Sequence, residues 1–174
     1  YDRVLEQSRR YPGRTVPVEV DRILVKKARL LGEPSLPIAF YDEMIRDNRN
    51  DGAVAAALFW KARHTADKQA KNRIYEDIIA RFKDSNDPVV LESLGSAYDM
   101  LALYTDDPVE RDRIYDAAIA KFSGIEPLAN GVDLRRFLPD AMLAKAQNST
   151  EREESIRLCD EIIERYKNDN TGSG

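Results

Sequence analysis

The residues that most often carry chemistry are sparse in this chain. It holds one histidine, His64, and one cysteine, Cys159. That is too few for a Cys/His zinc cluster, which needs three or four ligands, and for a disulfide framework. Cys159 falls on an apolar helical stripe, where a thiol serves as a small buried hydrophobe rather than a nucleophile. Acids gather at Asp106-Asp107 and from Glu151 to Glu154. Both groups stand where a helix is expected to start, and negative charge there complements the helix dipole. Asn148-Ser149-Thr150 has the form of a glycosylation acceptor and is better read as a helix cap. There is no Gly-rich phosphate loop, no His-x-x-x-His pair and no Gly-x-Ser-x-Gly elbow. The inventory therefore predicts no enzyme, no cofactor and no metal site. The chemistry that remains is recognition, in which arginines grip carboxylates bidentately and an aromatic anchors the contact.

Composition narrows the class. Over 174 residues the net charge is −4, with 43% apolar and 33% charged residues. Such a chain is too apolar for disorder and suits a charge-rich helical protein. The acidic balance argues against a general nucleic-acid binder. No apolar run approaches the roughly 20 residues that span a bilayer. The chain begins at Tyr1 as though in mid-helix and ends on Asn170-Thr171-Gly172-Ser173-Gly174. These ends suggest one domain over 1–169, a flexible tail or linker over 170–174, and a piece of a longer protein. Localisation is not legible.

The elements that would position these residues come from a repeat. Arg73-Ile-Tyr-Glu-Asp-Ile-Ile-Ala-Arg-Phe82 recurs as Arg113-Ile-Tyr-Asp-Ala-Ala-Ile-Ala-Lys-Phe122 and as Arg157-Leu-Cys-Asp-Glu-Ile-Ile-Glu-Arg-Tyr166. Weaker copies begin at Phe40 and, truncated, at Tyr1. Aligned on Tyr1, Tyr41, Tyr75, Tyr115 and Cys159, the spacings are 40, 34, 40 and 44 residues. Within a copy, Ile74, Tyr75, Ile78, Ile79 and Phe82 fall on one stripe of a 3.6-residue helix.

Between the copies lie helices richer in Ala and Leu, expected over roughly 17–31, 52–65, 88–104 and 132–147. Asn86-Asp87-Pro88 and Asp106-Asp107-Pro108 each place an Asp cap before a Pro that costs the first turn no hydrogen bond. Thr15-Val16-Pro17 and Ser35-Leu36-Pro37 are similar. Pro139, inside the fourth of these helices, is expected to kink or split it. The sequence thus predicts an all-α fold of roughly nine helices and no sheet. Paired helices that cannot bury their apolar faces alone stack into an α-solenoid with exposed, adhesive ends.

Leu91-x-x-Leu94-Gly95-x-x-Tyr98 resembles the first-helix signature of the tetratricopeptide repeat. Leu24-x-x-x-Ala28-x-x-x-Gly32 followed by Tyr41 is similar to the same repeat's helix–turn–helix, and the spacing from Tyr41 to Tyr75 equals the family period of 34 residues. The resemblance implies about four antiparallel helix pairs in a right-handed superhelix, with partners held in a concave groove. It places Arg22, Lys26 and Arg29 in that groove from the first repeat. From the second it places Ala56, Trp60, Arg63 and His64, and from the third Val89, Glu92, Ser96, Asp99 and Met100. Each set shares a helix face.

That groove would be basic at its N-terminal half, with acids added by Glu92 and Asp99. Residues 1–40 carry a net +3, residues 41–110 a net −5 and residues 111–174 a net −2. The expected role is an interaction scaffold for a protein or an acidic peptide. The alternative is a helical regulatory or oligomerisation region of a larger protein, self-associating through its array ends. The solvated-face reading of Arg22, Lys26 and Arg29 and a packed Trp60 stand beside the groove assignment.

Overall fold

A computed structural model describes residues 18–47, 50–125, 128–129 and 132–167, with backbone alone for 18–24, 128–129 and 132–133. The fold is all-α. Eight helices run in order: α1 Val18–Leu31, α2 Leu36–Asp47, α3 Asp51–His64, α4 Lys68–Phe82, α5 Pro88–Tyr104, α6 Pro108–Phe122, α7 Phe137–Asn148 and α8 Arg152–Tyr166. The truncated first copy at Tyr1 and the Thr15-Val16-Pro17 start lie outside the described residues. The helices fall into two compact units, Tyr1–Leu101 and Ala102–Gly174.

The helix starts follow from capping chemistry. The Asp87 carboxylate accepts from Val89 N at 2.8 Å, and that of Asp107 accepts from Val109 N at 2.9 Å. Asn50 and Asp67 do the same for α3 and α4, accepting from Ala53 N at 2.9 Å and Ala70 N at 2.7 Å. Each satisfies a backbone donor that the first turn leaves without a helical partner.

In the first unit, α1 packs on α2, α2 on α3 and α3 on α4. The Ala-rich α3 buries Ala53, Ala55, Ala56, Ala57 and Ala62, so it is covered on nearly every side. Small residues let its neighbours approach closely. A Cβ placed on Gly52 would stand 2.8 Å from Val89 Cγ1, so the start of α5 requires a glycine at this point of α3. Phe40, Tyr41, Met44 and Ala57 form a core cluster against which Ile45 and Trp60 pack. Lys61 of α3 pairs with Asp42 of α2 at 2.5 Å.

In the second unit, α7 packs on both α6 and α8. Phe122 and Phe137 meet with ring centroids 5.2 Å apart. At the aligned positions Tyr41, Tyr75 and Tyr115 are buried, whereas Cys159, expected to be buried, is half-buried and Tyr1 lies outside the described residues.

Two expectations are corrected. Pro139 neither kinks nor splits its helix. The helix begins at Phe137, not near 132, so Pro139 sits in the first turn where its missing N–H breaks no helical bond. The residues before it are extended instead, Leu128 pairing antiparallel with Asp133 and Ala129 with Val132 in a two-residue ladder.

Candidate functional site

The end of α1 builds a concavity in the first unit. Gly32 adopts a left-handed backbone at φ 68°, a conformation that costs a glycine little. Glu33 N then donates to Ala28 O at 2.9 Å and Gly32 N to Arg29 O at 3.4 Å, the paired bonds of a Schellman stop. The turn carries the chain through Pro34 to Pro37 in the first turn of α2. A cleft of about 350 Å³ results. Its walls are Val25, Ala28, Pro34 and Pro37, and its charged or ionisable groups are Arg29 and His64.

His64 reaches this cleft from the last turn of α3, where Lys61 and Arg63 also stand against the negative end of the helix dipole. Its ring stacks on buried Tyr41, with centroids 6.0 Å apart and planes inclined by 15°. An apolar floor with a guanidinium and an imidazole at its edge suits an apolar side chain next to a carboxylate.

The structure thus brings Arg29 and His64 together. Lys26 is exposed less than one turn before Arg29 on α1. Arg22 lies in α1, and its side chain is outside the described residues. Trp60 is half-buried against the Phe40–Tyr41 cluster, with the Arg63 guanidinium 5.7 Å from its ring centroid. Ala56 is buried, so it does not face a groove. On α5, Glu92 is exposed while Val89, Ser96, Asp99 and Met100 are half-buried, and none of them lines the cleft. The lining residues absent from the expected groove set are Val25, Ala28, Gly32, Pro34 and Pro37. The Gly32-Glu33-Pro34 helix stop was the signal that could have found them.

The second unit holds an ionic network. Lys145 of α7 is buried, and its Nζ donates to Asp116 of α6 at 2.5 Å and meets Glu154 of α8 at 3.0 Å. Ser149 Oγ donates to the other Glu154 oxygen at 2.9 Å. Burial works to lower the Lys145 pKa, but its hydrogen bonds to Asp116 and Glu154 outweigh this and raise it above 10.5. The hydrogen bonds from Lys145, then from Ser149, hold the Glu154 carboxyl below its ordinary 4.5. The network clamps one helix to both of its neighbours. The Glu151–Glu154 cluster, expected as dipole complement, therefore also supplies a tertiary contact.

A smaller cleft of about 250 Å³ lies in this unit, floored by Phe122, Leu134 and Leu138 with Arg135 and Arg165 at its edge. Among the described residues, no three His, Cys, Asp or Glu side chains are grouped to hold a metal ion, and no helix is long and apolar enough to cross a membrane.

Comparison with known proteins finds no family model, no curated protein and no solved structure that matches this chain.

Proposed function

We propose that the chain is a non-enzymatic interaction module, a tetratricopeptide-like α-solenoid of antiparallel helix pairs in a right-handed superhelix. It receives an acidic segment with an apolar anchor in the cleft between α1, the start of α2 and the end of α3. Short interhelix turns and the five-fold sequence register support the array. The observation that carries the binding role is the cleft itself: an apolar floor of Val25, Ala28, Pro34 and Pro37 with Arg29 and His64 converging on it. The anchor fills the floor and excludes water, while the cationic edge fixes orientation and speeds encounter. The alternative, a docking or assembly region of a larger protein, draws on the exposed apolar face of α8.

Trp60 is the chain's single tryptophan and lies one turn before His64, so its emission reports on this region. The test titrates the whole chain with a panel of short acidic peptides, each bearing one leucine. The reading expects saturable binding that Arg29→Glu weakens about tenfold or more, equal to about 1.4 kcal/mol, and that rising salt weakens further. Equal binding by Arg29→Glu, or no binding by any peptide, overturns it.

A further inference from the structure

The connection between α6 and α7 departs from the repeat. Residues 48–50 join α2 to α3 and residues 83–87 join α4 to α5, whereas residues 123–136 join α6 to α7. The longer connection contributes to the 44-residue spacing from Tyr115 to Cys159. Insertions in a helical array fall on one face, often the face that binds. Ile125, Leu134 and Arg135 come from this one. They close the cleft of about 250 Å³ against the last turns of α6 and α8 and the first turn of α7.

The cleft joins an apolar interior to a cationic mouth. Phe122, Leu134 and Leu138 are buried in its floor, and Ile125 and Tyr166 stand half-buried at its sides. Arg135 and Arg165 are exposed at its mouth, and no carboxylate is among the described residues that line it. Tyr166 brings a hydroxyl to the position that Phe82 and Phe122 fill in the other two full copies.

Arg165 shares Glu161 with Arg157, at 3.2 and 3.5 Å respectively. Ion pairs this exposed hold weakly, and Glu161 keeps Arg157 when Arg165 turns to a ligand. The carboxyl ends of α6 and α8 oppose an anion, and Lys121 and Arg165 in their last turns offset this. The start of α7 favours one. Its cap residue, Arg136, makes no side-chain bond to the first turn, unlike Asp67 at α4 and Asp107 at α6, so no acid offsets the positive end of its dipole there. The volume is below the range that admits drug-sized ligands, and the rings of Phe122 and Tyr166 suit another ring beside them.

We propose that this cleft binds a small organic acid, a carboxylate carried on a single apolar ring. The ring lies against Phe122, Leu134 and Leu138, and Arg135 and Arg165 hold the carboxylate by charge-assisted hydrogen bonds. The site lies in the second unit and owes nothing to the reading of the α1 cleft.

Titration of the whole isotopically labelled chain with phenylacetate tests it. Saturable shifts are expected at Ile125, Arg135, Leu138 and Arg165, with a Kd of about 1 mM or tighter, within reach of a ligand of roughly ten heavy atoms. Arg135→Gln/Arg165→Gln weakens binding about tenfold or more. Arg113→Gln, at an exposed arginine elsewhere in the unit, leaves it unchanged. Phenylacetamide keeps the ring without the charge, acetate keeps the charge without the ring, and each binds about tenfold more weakly or worse. Far-UV circular dichroism verifies the fold of both variants. No saturable shift up to about 20 mM overturns the proposal, and so does wild-type affinity in the double variant. Equal binding of phenylacetamide or of acetate overturns it too, the first by removing the carboxylate's role and the second by removing the ring's. Saturable shifts that spare the lining residues place the ligand elsewhere and overturn it as well.

Discussion

Tyr41 and His64 stack with ring centroids 6.0 Å apart and planes 15° from parallel. The contact joins the middle of α2 to the last turn of α3 and fixes the imidazole at the edge of the cleft. Tyr41 is among the most completely buried side chains, so His64 leans on a rigid support. An aromatic pair of this kind is worth about 0.5–1.5 kcal/mol beyond its burial. His64→Ala is expected to lower stability by about 1 kcal/mol and to weaken acidic-peptide binding, both readable on one purified variant by urea unfolding and peptide titration. Unchanged binding would show that the imidazole is only a helix-end residue.

The repeat register makes a graded prediction. Tyr75→Ala removes a buried aromatic and is expected to cost about 3–5 kcal/mol. Cys159→Ala, at the aligned but half-buried position, is expected to cost about 1 kcal/mol or less. Chemical denaturation of the two variants checks the order. Equal costs would mean that the sequence alignment does not describe equivalent packing.

Gly52 faces Val89 so closely that Gly52→Ala places its Cβ in collision with Val89 Cγ1. Alanine gains helix propensity over glycine by about 1 kcal/mol, yet the overpacking outweighs it, and a net loss of about 1–2 kcal/mol is expected. Val89→Ala removes the colliding methyls. In a double-mutant cycle the pair Gly52→Ala/Val89→Ala should therefore be more stable than the sum of the single changes predicts. Strict additivity would place the strain elsewhere.

The Lys145 network is expected to contribute to the pH dependence of stability at both ends of the range. Glu154 has a folded pKa below its ordinary 4.5, so its contribution is present above that value and is lost as pH falls through the folded pKa. Lys145 has a folded pKa above 10.5, so its contribution is present below that value and is lost as pH rises past it. Between these limits Lys145→Met is expected to cost about 1–2 kcal/mol. The variant should also show a shallower acid limb in urea midpoints measured from neutral pH downward. An acid limb as steep as the wild type's would assign the acid sensitivity to other carboxylates.

The helical plan was legible because its signals are local. Asp87 and Asp107 precede prolines and accept the bonds that caps accept, and the Tyr41, Tyr75 and Tyr115 stripe packs inward as its period requires. Pro139 misled because a proline reads alike inside a helix and in its first turn. Only the pairing of residues 128–129 with 132–133 fixes where that helix begins. The candidate site was half legible. Arg29 and His64 come from helices that the sequence delimits well. Pro34 and Pro37 join them only because Gly32 turns the chain back, a consequence of tertiary path rather than of residue spacing. Gly52 carried no recognisable pattern, since close approach depends on a partner 37 positions away. Lys145 likewise reads as a surface residue until Asp116 and Glu154 arrive from two other helices.

The most direct measurement is amide chemical-shift mapping of the isotopically labelled chain titrated with an acidic, leucine-bearing peptide. The proposed function predicts saturable perturbations concentrated at Val25, Arg29, Gly32 and His64, lost in Arg29→Glu. Saturable perturbations confined to α5 or to the second unit, or none at any peptide concentration, would contradict it.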